Sequence, residues 1–145
     1  MSARCTSKVK HSLVKVEENK RKVIFRNSSR HNFDVTKIDG CLVISGIRTD
    51  YLVSKDATSV LVELKGTDVE HACEQLLASA KRPEVKPLLK ETVGFLVICS
   101  RYPRFDSFVA KAKTKCAREY KSGFHVICDK RELDIEKAAA IDGPY

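Results

Sequence analysis

Apolar residues recur with two different periods along this chain, and the switch between them marks the elements. Val69, Ala72, Cys73, Leu76, Leu77 and Ala80 lie at i, i+3, i+4, i+7 and i+8 spacing, which predicts an amphipathic helix from Thr67 to about Arg82. Thr67 with Glu70 three residues on is a capping-box signature, and Gly66 permits the sharp entry. Before this helix, KVIFRN, CLVIS, DYLVS and SVLVELK are short runs of β-branched and aliphatic residues and predict successive strands. After it, VGFLVICS is continuously apolar, as expected of a strand covered on both faces. Asp106 is placed to cap a third helix with Phe108, Ala112 and Cys116 on one face, Gly123 stops it, and FHVICD predicts a last strand. Residues from Arg131 on predict a short helix. Val9, Leu13 and Val16 are spaced as one face of a first helix. The resulting order, helix, strand meander, helix, strand, helix, strand, predicts an α/β fold with a mixed central sheet flanked by helices.

Composition narrows the functional classes. A chain of 145 residues with 43% apolar content and no internal repeat suits one domain with its core over about residues 8–128. A formal charge of +8 favours a polyanionic partner such as nucleic acid. No apolar run approaches the roughly 18 residues of a membrane span. The opening MSARCTSKVKHS has no signal-peptide core, so a cytoplasmic protein is expected. None of the six cysteines forms a C-x-x-C pair, and Cys41, Cys99 and Cys128 lie inside apolar runs, so all are expected to be reduced and buried.

The hairpin formed by DYLVS and SVLVELK carries the chemistry. A turn centred on Asp56 and Ala57 puts Asp50 opposite Glu63, and side-chain alternation puts Glu63 and Lys65 on the same face. Two adjacent carboxylates repel unless a cation lies between them, and Asp with Glu is an ordinary oxygen ligand set for Mg²⁺ or Mn²⁺. The Leu64 backbone carbonyl, between the two side chains, is a further candidate ligand. A metal-bound water beside Lys65 is the equipment for attack on a phosphodiester. The competing reading is that E-x-K on a strand is a solvated surface pair, a pattern common by chance.

Asp50, the apolar strand ending in Glu63-Leu64-Lys65-Gly66 and the following helix bearing Gln75 resemble the PD-(D/E)xK nuclease superfamily. That resemblance spans roughly residues 8–100 and implies a restriction-endonuclease-like αβββαβ core. It implies Asp50, Glu63, Lys65 and Gln75 as catalytic residues, with an acidic residue from the first helix, Glu17 or Glu18, joining them. It departs from the family pattern in having Thr49 before the aspartate. The implied function is a Mg²⁺- or Mn²⁺-dependent endonuclease, acting on DNA more readily than RNA, and as a homodimer where both strands of a duplex are cut. The alternative is a non-catalytic nuclease-fold protein acting as a partner-binding or immunity-type module.

Other residues carry weaker signals. His71, four residues before Gln75, shares its flank of the helix but is more often a solvated histidine. Asp39 in IDGC is placed to turn toward the metal from the neighbouring strand, but D-G is equally a simple turn signal, and the turn is the reading preferred. Lys20, Arg21, Lys22, Arg26 and Arg30, with Lys111, Lys113, Lys115 and Arg118, are candidates to follow a phosphate backbone. The chain has no phosphate loop, dinucleotide fingerprint, H-E-x-x-H or G-x-S-x-G, and its 7% aromatic content without tryptophan gives no stacking surface.

Overall fold

The computed structural model describes residues 2–18, 21–44, 46, 49–64, 68–100, 107–128 and 131–144, with only the backbone of residues 2, 3 and 131. Lys20, Lys65, Gly66, Thr67 and Asp106 lie outside the described residues, so the expectations placed on them do too. The elements are α1 (Ser2–Cys5), β1 (Thr6–Val9), β2 (Leu13–Glu18), β3 (Arg21–Arg26), β4 (Phe33–Lys37), β5 (Tyr51–Lys55), β6 (Thr58–Leu64), α2 (Val69–Ser79), β7 (Thr92–Cys99), α3 (Ser107–Glu119), β8 (Phe124–Cys128), β9 (Arg131–Leu133) and α4 (Ile135–Ala139), with a 3₁₀ turn at Lys86–Leu88.

The fold is mixed α/β. Six strands form one sheet in the order β1-β4-β5-β6-β7-β8, and β2-β3-β9 form a second. In the large sheet β4, β5 and β6 are an antiparallel meander, while β6, β7 and β8 are parallel and need helical crossovers, supplied by α2 and α3. One face packs Leu52, Leu61, Phe95 and Val97 against Val69, Ala72 and Leu76 of α2 and Val109, Ala112 and Cys116 of α3. The other packs Val53, Val60, Val62, Leu64 and Leu96 against Val14, Val16, Val23 and Phe25 of the small sheet and against Ile135, Ala138 and Ala139 of α4. Both faces of β6 and β7 are therefore dry, which is why these strands read as near-continuous apolar runs.

The predicted first helix is absent. Val9 lies in β1, and Leu13 and Val16 lie in β2, where Leu13 is exposed and Val16 buried. The segment LVKVEE alternates with period two, burying Val14 and Val16 and exposing Lys15 and Glu17. The helical spacing spanned two separate strands. KVIFRN is a strand, as expected, but it belongs to the small sheet, where Val23 pairs with Val16. CLVIS is not a strand. Residues 38–43 form a turn closed by an isolated bridge between Asp39 and Val43, and Ile44 beyond it is exposed. The meander strand is instead Phe33–Lys37, whose buried Thr36 interrupts the apolar signal and bonds the Thr6 hydroxyl across the β1–β4 pair.

The α2 helix forms where expected, but its cap is Asp68, whose carboxylate accepts from the His71 amide at 3.1 Å. Cys5 and Cys41, expected to be reduced, are joined in a disulfide with Cα atoms 5.8 Å apart. Pairing of β1 with β4 brings together cysteines 36 residues apart, a proximity with no local signature. Cys73, Cys99, Cys116 and Cys128 form no disulfide, the first three buried as expected.

Candidate functional site

The β5–β6 hairpin has the predicted register. Tyr51 pairs with Val62 and Lys55 with Thr58, so the turn is centred on Asp56 and Ala57 and Asp50 follows on opposite Glu63. Asp56 adopts φ of 52°, a left-handed conformation that aspartate tolerates better than most residues.

Asp50 is held from every side. Its amide donates to Glu63 Oε1 at 3.1 Å, and its carbonyl accepts from the Ile38 amide at 2.9 Å and from the Asp39 amide at 3.4 Å. Its carboxylate Oδ2 accepts from the Leu64 amide at 2.8 Å. Only 8% of the residue is exposed. The side chain is thus fixed by β6 before any ligand arrives, as a preorganised site requires.

Two further carboxylates meet it there. Ligand oxygens of Glu18, Asp39 and Asp50 all lie within 4.8 Å of one another. They come from the end of β2, the 38–43 turn and the start of β5. Burial pushes the Asp50 carboxyl up to about 6, and the negative charges of Glu18 and Asp39 and a hydrogen bond shared with the Glu18 carboxyl push the same way, against the Leu64 hydrogen bond. Glu18 Oε2 is a buried oxygen with no hydrogen-bond donor. Three hard oxygen donors, one of them without a donor partner and one with its charged form disfavoured, fit a divalent cation such as Mg²⁺ or Mn²⁺.

Strand alternation decides between the two glutamates considered from sequence. Glu18 follows Val14 and Val16 on the inward parity of β2, whereas Glu17 points outward and pairs with Lys15 at 3.6 Å. Asp39 is a turn residue, as expected, and the same turn, hung on the Asp50 carbonyl, carries its carboxylate to the site. Reading LVKVEE with period two instead of 3.6 is the signal that selects Glu18. No local signal marks Asp39.

Glu63 has a different position from the one expected of an open ligand. It is 3% exposed, its Oε1 accepts from the Thr49 hydroxyl at 2.9 Å as well as from the Asp50 amide, and the carboxylate group within 4.8 Å does not include it. Gln75 is half-buried on α2, and His71 is exposed and does not enter that group. Among the basic residues, Arg21 follows Glu18 across the β2–β3 hairpin and its Nε donates to Ser100 Oγ at 2.9 Å, beside the end of β7. Arg26 pairs with Asp134 at 3.3 Å, and Arg30, Lys111, Lys113 and Arg118 are exposed.

Comparison with protein-family models, with curated proteins and with solved structures gives no match to this chain. Among the described residues, no helix is long and apolar enough to cross a membrane.

Proposed function

We propose that this protein is a metal-dependent nuclease that hydrolyses phosphodiester bonds, DNA being the favoured substrate. The observation that carries the reading is the convergence of Glu18, Asp39 and Asp50 within 4.8 Å, with Asp50 buried and its carboxyl raised to about 6. Two half-buried carboxylates drawn up against the buried Asp50 repel it, so the arrangement has a physical reason to exist if a cation occupies it. The antiparallel hairpin, helix and parallel strand around Asp50 and Glu63 keep part of the order that the PD-(D/E)xK resemblance implies, whereas the helix it places before them, with its acidic residue, is replaced by strand β2.

Glu18, Asp39 and Asp50 would hold Mg²⁺ or Mn²⁺, with the Leu64 carbonyl a candidate further ligand. A bound divalent ion supplies an activated water and charge stabilisation at phosphorus. Glu63 acts one layer behind: by accepting from the Asp50 amide and Thr49 hydroxyl it fixes the backbone that presents Asp50. Lys65, the second residue after Glu63, is assigned to neutralise the attacked phosphate, and Gln75 to a supporting contact. Arg21 and the exposed cations of α3 supply attraction for a polyanion at long range. One site cuts one strand, so duplex cleavage calls for a homodimer.

A second reading rests on Glu63. Its inward hydrogen bonds suit a nuclease-like domain whose hairpin has become structural and whose role is binding a partner.

Cleavage of supercoiled plasmid and of labelled single-stranded DNA and RNA decides between them. The native protein, Asp50→Asn, Glu18→Gln and Lys65→Ala are compared with Mg²⁺, Mn²⁺ or EDTA. Metal-dependent cutting that disappears in the three variants supports the nuclease. A folded native protein that cuts none of these substrates moves the binding reading ahead.

A further inference from the structure

The Cys5–Cys41 bond anchors the turn that carries Asp39 of the carboxylate site. Cys41 follows Asp39 by two residues, in the turn whose amides are held by Gly40 N to Val43 O at 3.0 Å, Cys41 N to Ile38 O at 3.2 Å and Val43 N to Ile38 O at 2.9 Å. Its partner, Cys5, ends α1 immediately before β1, the four-residue outer strand of the large sheet. The disulfide thus ties the Asp39 turn to the sheet edge. It closes a loop that contains two of the three carboxylates, Glu18 and Asp39, and leaves Asp50 outside. Constraining that segment lowers the cost of bringing its two side chains to the third.

The bond is also reachable. Both sulfurs belong to half-buried residues that line a cleft of about 370 Å³ together with Arg4, Leu42, Glu84 and Leu88. The other four cysteines form no disulfide. A fold with a dry core on both faces of its sheet does not depend on one peripheral cross-link for its existence, unlike the small disulfide-framed domains.

We propose that Cys5–Cys41 is a reversible redox site that sets the position of Asp39 and through it the cation affinity of the carboxylate cluster, an inference that rests on the metal reading above. A dithiol reductant supplies the electrons. One of its thiolates attacks a sulfur of the Cys5–Cys41 bond to give a mixed disulfide, its second thiol displaces the protein thiolate, and the products are two protein thiols and an oxidised dithiol. In the reduced protein the 38–43 turn is held by its hydrogen bonds, by the buried side chains of Ile38 and Val43 and by the Ile38 and Asp39 amides on the Asp50 carbonyl, but without the covalent tie through Cys41, and the Asp39 carboxylate is less firmly preorganised.

The test uses the full chain, oxidised with glutathione disulfide or reduced with dithiothreitol, and a Cys5→Ser variant that cannot form the bond in either condition. Two quantities are read: hydrogen exchange at the Gly40, Cys41 and Val43 amides, and Mn²⁺ affinity by calorimetry. Reduction is expected to speed exchange of these amides while leaving those of β6 and β7 unchanged, and to weaken Mn²⁺ binding about tenfold, the effect of losing an outer support of a ligand. Cys5→Ser should behave as reduced protein under both conditions. Faster exchange with unchanged Mn²⁺ affinity overturns the coupling and leaves the metal site standing. Absence of Mn²⁺ binding in either state overturns the metal reading instead, and exchange alone then decides whether the bond orders the turn. A protein that forms no Cys5–Cys41 bond with glutathione disulfide, judged by mass of the linked peptides, overturns the proposal outright.

Discussion

Glu63 accepts a hydrogen bond from the amide of Asp50 at 3.1 Å, and Asp50 in turn accepts one from the amide after Glu63, that of Leu64, at 2.8 Å. Each carboxylate therefore replaces a carbonyl at the point where the β5–β6 ladder ends. The pair closes the hairpin and positions the site with the same two bonds.

Removing Glu63 should cost stability before it affects any chemistry. Glu63→Ala leaves the buried Asp50 amide without its acceptor, a loss of about 1 to 3 kcal/mol, while the Thr49 hydroxyl keeps the Val62 carbonyl oxygen at 3.0 Å. Glu63→Gln retains an acceptor oxygen and should lose less than half as much. Urea unfolding of both variants measures the difference, and equal losses would contradict the hydrogen-bonding role.

Metal binding should be pH-dependent through Asp50. Its carboxyl is raised from 3.8 to about 6, so in the metal-free protein the folded state binds the proton more tightly than the unfolded chain. Stability is then greatest below 3.8 and falls, by on the order of 2 to 3 kcal/mol, as pH rises through about 6. A divalent cation reverses the sign by favouring the ionised carboxylate. Denaturant midpoints between pH 4 and 7, with EDTA and with Mn²⁺, should therefore converge at low pH and separate above about 6; Asp50→Asn should abolish the separation.

His125 gives an opposite acid limb. It is 4% exposed, its Nε2 lies 2.7 Å from the Ala140 carbonyl oxygen, and burial holds its pKa below the usual 6.5. Stability from this residue is full above 6.5 and is lost as pH falls through its lowered value, because the unfolded chain takes up the proton first. His125→Gln should flatten the pH dependence in this window, read as the slope of unfolding free energy between pH 7 and 5.

Gly94 should tolerate no side chain. A Cβ there would stand 2.6 Å from Ala139 Cα and 2.8 Å from Ala139 Cβ, so α4 packs directly on the β7 backbone. Gly94→Ala must push α4 away or distort β7, and about 1 to 3 kcal/mol of destabilisation is expected, as for overpacked cores. Thermal unfolding checks it, and a variant as stable as the native protein would mean that α4 yields at no cost.

Local pattern alone determined a good part of this molecule. The turn at Asp56-Ala57 and the alternation on either side of it were enough to set Asp50 opposite Glu63, because hairpin register depends on a few adjacent residues. The α2 stripe and the dry strands β7 and β8 were legible for the same reason: their periodicity reports burial within one element. What folded around them was not legible. Whether Leu13–Glu18 forms a helix or a strand depends on β3, its pairing partner, and a segment this short follows its neighbours more than its own propensity. Only the tertiary structure brought Glu18 and Asp39 to Asp50, bonded Cys5 to Cys41 and turned Glu63 inward, since each of these contacts joins chain segments whose meeting is decided by sheet order, and sheet order is settled by packing of both faces at once.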